Sequence, residues 1–460
     1  MLSYLELKNF KSFSDITFDL RKAYREPKKV AFIYGENGSG KSNLMSSMLF
    51  LLQTLNTLKN QLKVKDIPDF NNTLLDSMKD EGIQERFLQQ MLRVQFFTLS
   101  DLIDDYKMLG NERPMSLKFG FRINGADGSY FLELSEHKII KEELRYQINE
   151  REGVIFSLNK NQTTLSPTIF SDINYKKELH EEIEKYWGKH TFMAVLFNEI
   201  QTKNYKYIKA RVNKNILQVI DWLRKLSVWC KQCRGETARI SIPLKFMRQL
   251  DKGSVKNQNS KELKLCEAAL NTFFTQLYSD IKSAYYVFTP EENKFSYELY
   301  FKKQIDGNLI DIPISLESTG TQKLLEIFPI LFAGVAGASV FIDEIDSGIH
   351  DLLMKNILER LNDSLEGQFI ATTHNTLLME SLPPENTYII RVNASGNKTI
   401  DCVAEYRERT QKTNNIRNKY LRGDYDGIPY TGYFDFQELV EDVLENSHSS
   451  SFVDKDGDEE

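Results

Sequence analysis

Val30-Ala31-Phe32-Ile33-Tyr34-Gly35-Glu36-Asn37-Gly38-Ser39-Gly40-Lys41-Ser42-Asn43-Leu44 is the stretch on which the reading of this chain turns. Five residues apolar on both faces suit a buried strand, and they run into a glycine-rich turn at Gly35. Beyond it, Leu44, Met48, Leu51, Leu55, Leu58 and Leu62 recur every three or four residues, one face of a helix. Between strand and helix, Gly35 to Ser42 fits G-x-x-x-x-G-K-[ST]. Small residues let backbone N–H groups across Asn37, Gly38, Ser39 and Gly40 wrap phosphates, and the helix N-terminus adds its positive end. The pattern assigns Lys41 to the β and γ phosphates of a nucleotide and the Ser42 hydroxyl to Mg2+. An ordinary glycine-rich turn leaves Lys41-Ser42 unexplained.

Working outward, Ser339-Val340-Phe341-Ile342-Asp343-Glu344 is a short buried strand ending in two carboxylates. Asp343 at its carboxyl end suits a magnesium ion held through water, and Glu344 suits a general base for the attacking water. Upstream, Glu317-Ser318-Thr319-Gly320-Thr321-Gln322-Lys323 opens an apolar helix with small residues, a second helix start able to take phosphate. Downstream come Ile345-Asp346-Ser347-Gly348-Ile349-His350. Later still a strand ends in Thr372-Thr373-His374-Asn375, with His374 where a γ-phosphate would be sensed.

Strands alternating with helices at both ends predict one α/β domain assembled from the two ends of the chain. We divide it into an N-terminal lobe at 1–173, a helical insertion at 174–283, a C-terminal lobe at 284–434 and an acidic tail at 435–460. Leu117, Phe119, Phe121 and Ile123, then Tyr130, Leu132 and Leu134, alternate around a turn at Asn124-Gly125 as an antiparallel hairpin. Leu179, Ile183 and Trp187, then Ile216, Ile220, Leu223 and Leu226, then Leu263 to Ile281, give the insertion its helical spacing.

Composition, at 41% hydrophobic and 27% charged, is that of a folded soluble protein. No run of eighteen apolar residues predicts a membrane span. The opening MLSYLELKNFKSF reads as a strand rather than a signal peptide, and four cysteines make no disulfide framework, so a reducing cytoplasm is expected. The net charge of −6 is uneven: residues 435–460 carry −9, which leaves +3 for residues 1–434. That balance does not compel direct nucleic-acid binding.

The order of phosphate loop, small-residue helix start, Asp-Glu pair, following loop and histidine resembles the ABC ATPases, and LELKNFKSF resembles the opening of their SMC/RecF-like branch. The resemblance implies a split ABC-type ATPase domain with a short coiled-coil-like insertion. It also implies a homo-oligomer, dimers at least, in which Ser318, Thr319, Gly320 and Gln322 of one copy cover the ATP held by another. Asp346 would then communicate across the dimer, and Lys11, Ser12 and Asn43 would lie beside the nucleotide on its own side. Gln95 is the candidate for the metal-contacting glutamine.

Tyr34 to Leu44, the hairpin at 117–134, and Asn415-Ile416-Arg417-Asn418-Lys419-Tyr420-Leu421-Arg422-Gly423 with Pro429 resemble the ATPases of bacterial abortive-infection defence, the PARIS antiphage type among them. That likeness implies a partner Toprim-type nuclease and a phage-encoded trigger protein. The alternative is a repair ATPase of the SMC/RecF-like kind, or a nuclease-associated ATPase, acting directly on DNA. Cys230-Lys231-Gln232-Cys233 is the one candidate zinc site, a hook shared by two chains, but paired cysteines on a helix are more often packing residues.

Overall fold

The computed structural model describes residues 1–22, 25–65, 97–232, 235–239, 247, 249–256, 260–406, 416–429, 432 and 434–450. The strands, in chain order, are β1 (Leu2–Phe10), β2 (Phe13–Asp19), β3 (Val30–Tyr34), β4 (Met115–Ile123), β5 (Ala126–Leu134), β6 (Ile139–Ile148), β7 (Arg151–Asn159), β8 (Thr163–Leu165) and β9 (Leu226–Gln232). They continue as β10 (Gly235–Arg239), β11 (Lys252–Val255), β12 (Ile281–Glu291), β13 (Lys294–Ile305), β14 (Asn308–Pro313), β15 (Ser339–Ile342), β16 (Gln368–Thr372), β17 (Thr387–Val392) and β18 (Lys398–Cys402).

The central sheet runs β10-β9-β15-β16-β3-β17-β18. Its five inner strands, β9, β15, β16, β3 and β17, are parallel, and antiparallel β10 and β18 close the two edges. Every residue of β3, β15 and β16 is buried, as strands covered on both faces require. Ala31 and Ile33 face one core, while Val30, Phe32 and Tyr34 face another with Leu324, Ile330 and Leu358. Ile33 pairs with Thr372, and Ala371 with Ile342, so β3, β16 and β15 end at one rim. That rim, outside the carboxyl ends of parallel strands, is where ligands of open α/β sheets bind.

A second, antiparallel sheet runs β2-β1-β4-β5-β6-β7-β8 and contains the expected hairpin as β4 and β5. The helix Lys41–Thr54 is buried almost all round because it shares its core with both sheets. Gln368, fully buried on β16, ties the sheets together: Oε1 accepts from the Leu2 N–H at 2.7 Å, and Nε2 donates to the carbonyls of Leu2 at 2.8 Å and Lys28 at 2.9 Å. A small third sheet, β11-β13-β12 with β14 on β13, carries the helix Lys261–Leu277. No described helix is long and apolar enough to cross a membrane.

Several elements differ from expectation. The span 174–283 is not a helical arm. Its helices Ile173–Tyr186, Phe192–Thr202 and Lys214–Arg224 pack into the core of the antiparallel sheet, and β9 enters the central sheet beside β15. Leu226 misled the periodicity, since it follows Leu223 by three residues yet begins the alternation Leu226, Val228, Cys230 that a strand needs. Ile281 likewise begins β12 instead of ending a helix. The helix read through Leu62 is broken at Leu55-Asn56 into Lys41–Thr54 and Thr57–Lys65. Cys230 lies on a strand, not on a helical turn, and burial pushes its thiol up to about 12; Cys233 falls outside the described residues. The acidic end contributes a helix, Phe436–Ser450.

Candidate functional site

The phosphate loop owes its shape to three glycines with φ of +151° (Gly35), +82° (Gly38) and +107° (Gly40). A Cβ on Gly35 would sit 2.8 Å from Ser39 Oγ and 2.9 Å from the Ile390 carbonyl; one on Gly40 would sit 2.7 Å from the Phe13 ring. The loop is thus clamped between β17 and the start of β2. Asn37 and Gly38 are exposed at its tip, while Ser39 is buried. Lys41 is buried, and its Nζ donates to the carbonyls of Gly35 at 2.7 Å and Glu36 at 3.0 Å. Burial lowers the Lys41 pKa, opposed by the carboxylates of Asp343, Glu344, Asp346 and Glu36. Ser12 Oγ accepts from Asn43 Nδ2 at 2.7 Å, which joins the β1–β2 turn to the start of the helix. Lys11 points its ammonium over the Tyr106 ring, 4.6 Å from the centroid.

Across the rim, Asp343 and Glu344 share one hydroxyl. Thr372 Oγ1 donates to Asp343 Oδ1 at 2.6 Å and accepts the Glu344 N–H at 2.8 Å. Asp343 Oδ2 is buried and has no hydrogen-bond partner. Burial raises the Asp343 pKa, opposed by hydrogen bonding to Thr372 and Ser42 and by the Lys41 charge. A buried carboxylate oxygen left over beside a serine hydroxyl fits a hard oxygen-seeking cation such as Mg2+, held by Ser42 and Asp343. Glu344 is half-buried at φ +46°, a strained value for a residue with a Cβ. The exposed His374 donates its N–H to Asp346 Oδ2 at 3.1 Å, so β16 holds the loop that follows the carboxylates. Asp346 Oδ1 is buried without a partner.

Ser318 caps the helix Thr319–Val335, its Oγ accepting the Thr321 N–H at 3.2 Å. Gln322 Nε2 donates to the carbonyls of Ser315 at 3.2 Å and Glu317 at 2.9 Å. A Cβ on Gly320 would meet the Gly348 carbonyl at 2.8 Å, so this helix start lies against the loop after the carboxylates. Ser318 and Thr319 are exposed. Among the described residues the hydrogen bonds of Ser318 and Gln322 stay within 315–322, and none reaches 35–42 of the same chain. Gln95 lies outside the described residues.

Two contributors were missed in the sequence. One is the double role of Thr372. The other is Lys398 on β18, whose Nζ donates to the Gly38 carbonyl at 2.7 Å and to Ser12 Oγ at 2.9 Å. The alternation Lys398, Ile400, Cys402 signals a strand but not where that strand lies. The segment 416–429 also closes on the loop: Tyr420 packs on Tyr34 at 6.0 Å between centroids, and a Cβ on Gly427 would come within 3.8 Å of Gly35 Cα.

Residues 237–380 match a family described as "AAA domain, putative AbiEii toxin, Type IV TA system". Among curated proteins the chain is similar to Structural maintenance of chromosomes protein 1 of Saccharomyces cerevisiae, 26% identical over 339 residues, covering 69% of this chain and 26% of that protein. A segment of 51 residues, 11% of this chain and 4% of the relative, is 47% identical to the chromosome partition protein Smc of Methanocaldococcus jannaschii. The chain thus spans about a quarter or less of the length of these relatives. Solved structures that align with it include an Smc head bound to the C-terminal winged-helix domain of ScpA (16% identity, TM-score 0.41, 87% of this chain and 97% of that one). Another is the SMC head domain from Thermotoga maritima (16% identity, TM-score 0.36, 87% and 98%). The fold is α/β, and the sequence similarities are to a family described as an AAA domain and to structural-maintenance-of-chromosomes proteins.

Proposed function

We propose that this chain hydrolyses ATP at composite sites between two copies and uses the cycle to switch a partner protein. The observation that carries the reading is the meeting, at one rim, of a phosphate loop with Asp343, Glu344 and Thr372, with Asp343 Oδ2 left unpaired. Lys41 and the loop N–H groups bind the phosphates. Mg2+, when held by Ser42 and Asp343, neutralises phosphate charge. Glu344 takes the proton of the water that attacks the γ-phosphorus as the bond to ADP breaks, and His374 holds the γ-phosphate. Ser318, Thr319, Gly320 and Gln322 cover the nucleotide of the other copy, which accounts for the exposure of Ser318 and Thr319, and Asp346 links the two sites.

The resemblance to abortive-infection ATPases and the matching family description favour a role in antiphage defence in the bacterial cytoplasm. There the homo-oligomer holds a Toprim-type nuclease until a phage-encoded protein shifts its conformation. A second reading, an ATPase acting directly on DNA, is favoured by relatives named for chromosome maintenance and partition. DNA that stimulates turnover severalfold selects the second; indifference to DNA selects the first. The activity itself is tested by Glu344→Gln and Lys41→Ala. The first variant retains ATP without turning it over, and the second does not bind it. Wild-type turnover in Glu344→Gln removes the assignment of the base.

A further inference from the structure

Two ammonium groups converge on the loop Gly35–Ser42, from opposite ends of the chain. Among the described residues Lys41 donates to loop carbonyls alone. Lys398 reaches the loop from β18: its acceptors are the Gly38 carbonyl at 2.7 Å and, outside the loop, Ser12 Oγ at 2.9 Å, both uncharged. Among the described residues no carboxylate forms an ion pair with Lys398, whereas Arg391, next to its β17 partner Val392, is paired with Asp401 and Asp426. The Lys398 side chain is half-buried, and burial pulls its pKa down with only Glu36 opposing. A partly desolvated cation without an anion is costly unless an anion visits it. Its place at the exposed tip of a loop shaped for phosphate names the chemical class of that anion.

We propose that Lys398 is a second phosphate-binding cation of this site, contacting the polyphosphate chain of a bound nucleoside triphosphate or diphosphate from the β17–β18 hairpin. The inference rests on the nucleotide reading above and adds to it a residue that no motif assigns. A purely mechanical role, propping the Gly38 carbonyl, is the competing account.

The full-length chain is titrated with fluorescent ATP and ADP analogues and with adenosine, as wild type and as Lys398→Met, Lys398→Arg and Lys41→Ala. The proposal expects Lys398→Met to weaken ATP and ADP binding about tenfold or more, the scale of a lost charge-assisted hydrogen bond. Adenosine binding and the melting temperature without nucleotide stay at the wild-type level, and Lys398→Arg restores most of the affinity. Added salt weakens ATP binding less steeply in Lys398→Met than in wild type. Unchanged ATP binding in Lys398→Met, with binding lost in Lys41→Ala, overturns the proposal and leaves the nucleotide reading standing. Equal loss for ATP and adenosine, with a lowered melting temperature and no rescue by arginine, assigns Lys398 the mechanical role and also overturns it. Wild-type ATP binding in Lys41→Ala instead refutes the nucleotide reading itself.

Discussion

Replacing Thr372 with valine keeps the shape of β16 and removes one hydroxyl that serves two groups at the rim. Asp343 loses the 2.6 Å hydrogen bond to Oδ1, and the Glu344 N–H loses its acceptor at 2.8 Å. A hydrogen bond to an ionised group is worth about 1.5–3 kcal/mol, and its loss pushes the Asp343 pKa further up. The direction adds to what burial already does, since the Asp343 carboxyl lies above its ordinary value and Thr372 is the largest influence holding it down. A raised carboxyl pKa means the folded state binds the extra proton, so stability falls as pH rises from the ordinary carboxylate value to the raised one. Thr372→Val extends that window upward and is destabilised more at neutral pH than in acid. At the site, removing a group that orients a metal ligand costs about 10–100-fold in metal affinity. Half-saturating Mg2+ for ATP turnover is therefore expected to rise at least tenfold, with the acid limb of the pH profile shifted upward. Thr372→Ser, which keeps the hydroxyl, stays close to wild type. Turnover measured against Mg2+ at several pH values decides it: a valine variant with the wild-type Mg2+ requirement and acid limb refutes the role given to this hydroxyl.

Three further outcomes are expected. Gly320→Ala brings a methyl group to 2.8 Å from the Gly348 carbonyl, so turnover drops sharply while nucleotide binding in the single chain, measured by equilibrium titration, is preserved. Glu142 is fully buried, accepts the N–H groups of Phe192 at 2.6 Å and Met193 at 3.1 Å, and has its pKa raised to about 7 by burial. Its folded pKa exceeds the unfolded one, so the stability of wild type relative to Glu142→Gln falls by on the order of 3 kcal/mol between pH 4.5 and 7.5 in denaturant titrations, and a flat difference contradicts it. Cys230, buried on β9 with its thiol pushed up to about 12, holds no zinc: elemental analysis of the purified chain finds less than stoichiometric metal, and one zinc per two chains argues for a hook.

What could be read from the sequence was what is contiguous in it. The strand, turn and helix around Gly35–Ser42 are set by neighbours, and so are the apolar runs that end in Asp343 and in Thr372. What failed was long-range. Leu223 and Leu226 satisfy helical spacing, and only pairing with β15 makes Leu226–Gln232 a strand. Gln368 on Leu2 and Lys398 on Gly38 join residues more than 350 positions apart, where no local pattern reports on contact. Thr372 sits in a stretch that the sequence marks as a strand end, yet its use depends on β16 lying between β3 and β15, a matter of sheet order.

In the proposed dimer one copy's helix start at Ser318 completes the site that another copy's Lys41 opens, and mixing two inactive variants tests this most directly. Ser318→Arg keeps Lys41 and spoils the surface it offers; Lys41→Ala keeps Ser318 and cannot hold ATP. A dimer with one of each has one site built wholly from intact parts and one built from both defects. With free exchange and independent sites, an equal mixture is expected to recover about a quarter of wild-type ATP turnover, while each variant alone stays near background. No recovered turnover, with exchange confirmed by differently tagged chains, contradicts catalysis between copies. Substantial turnover by Ser318→Arg alone contradicts it equally.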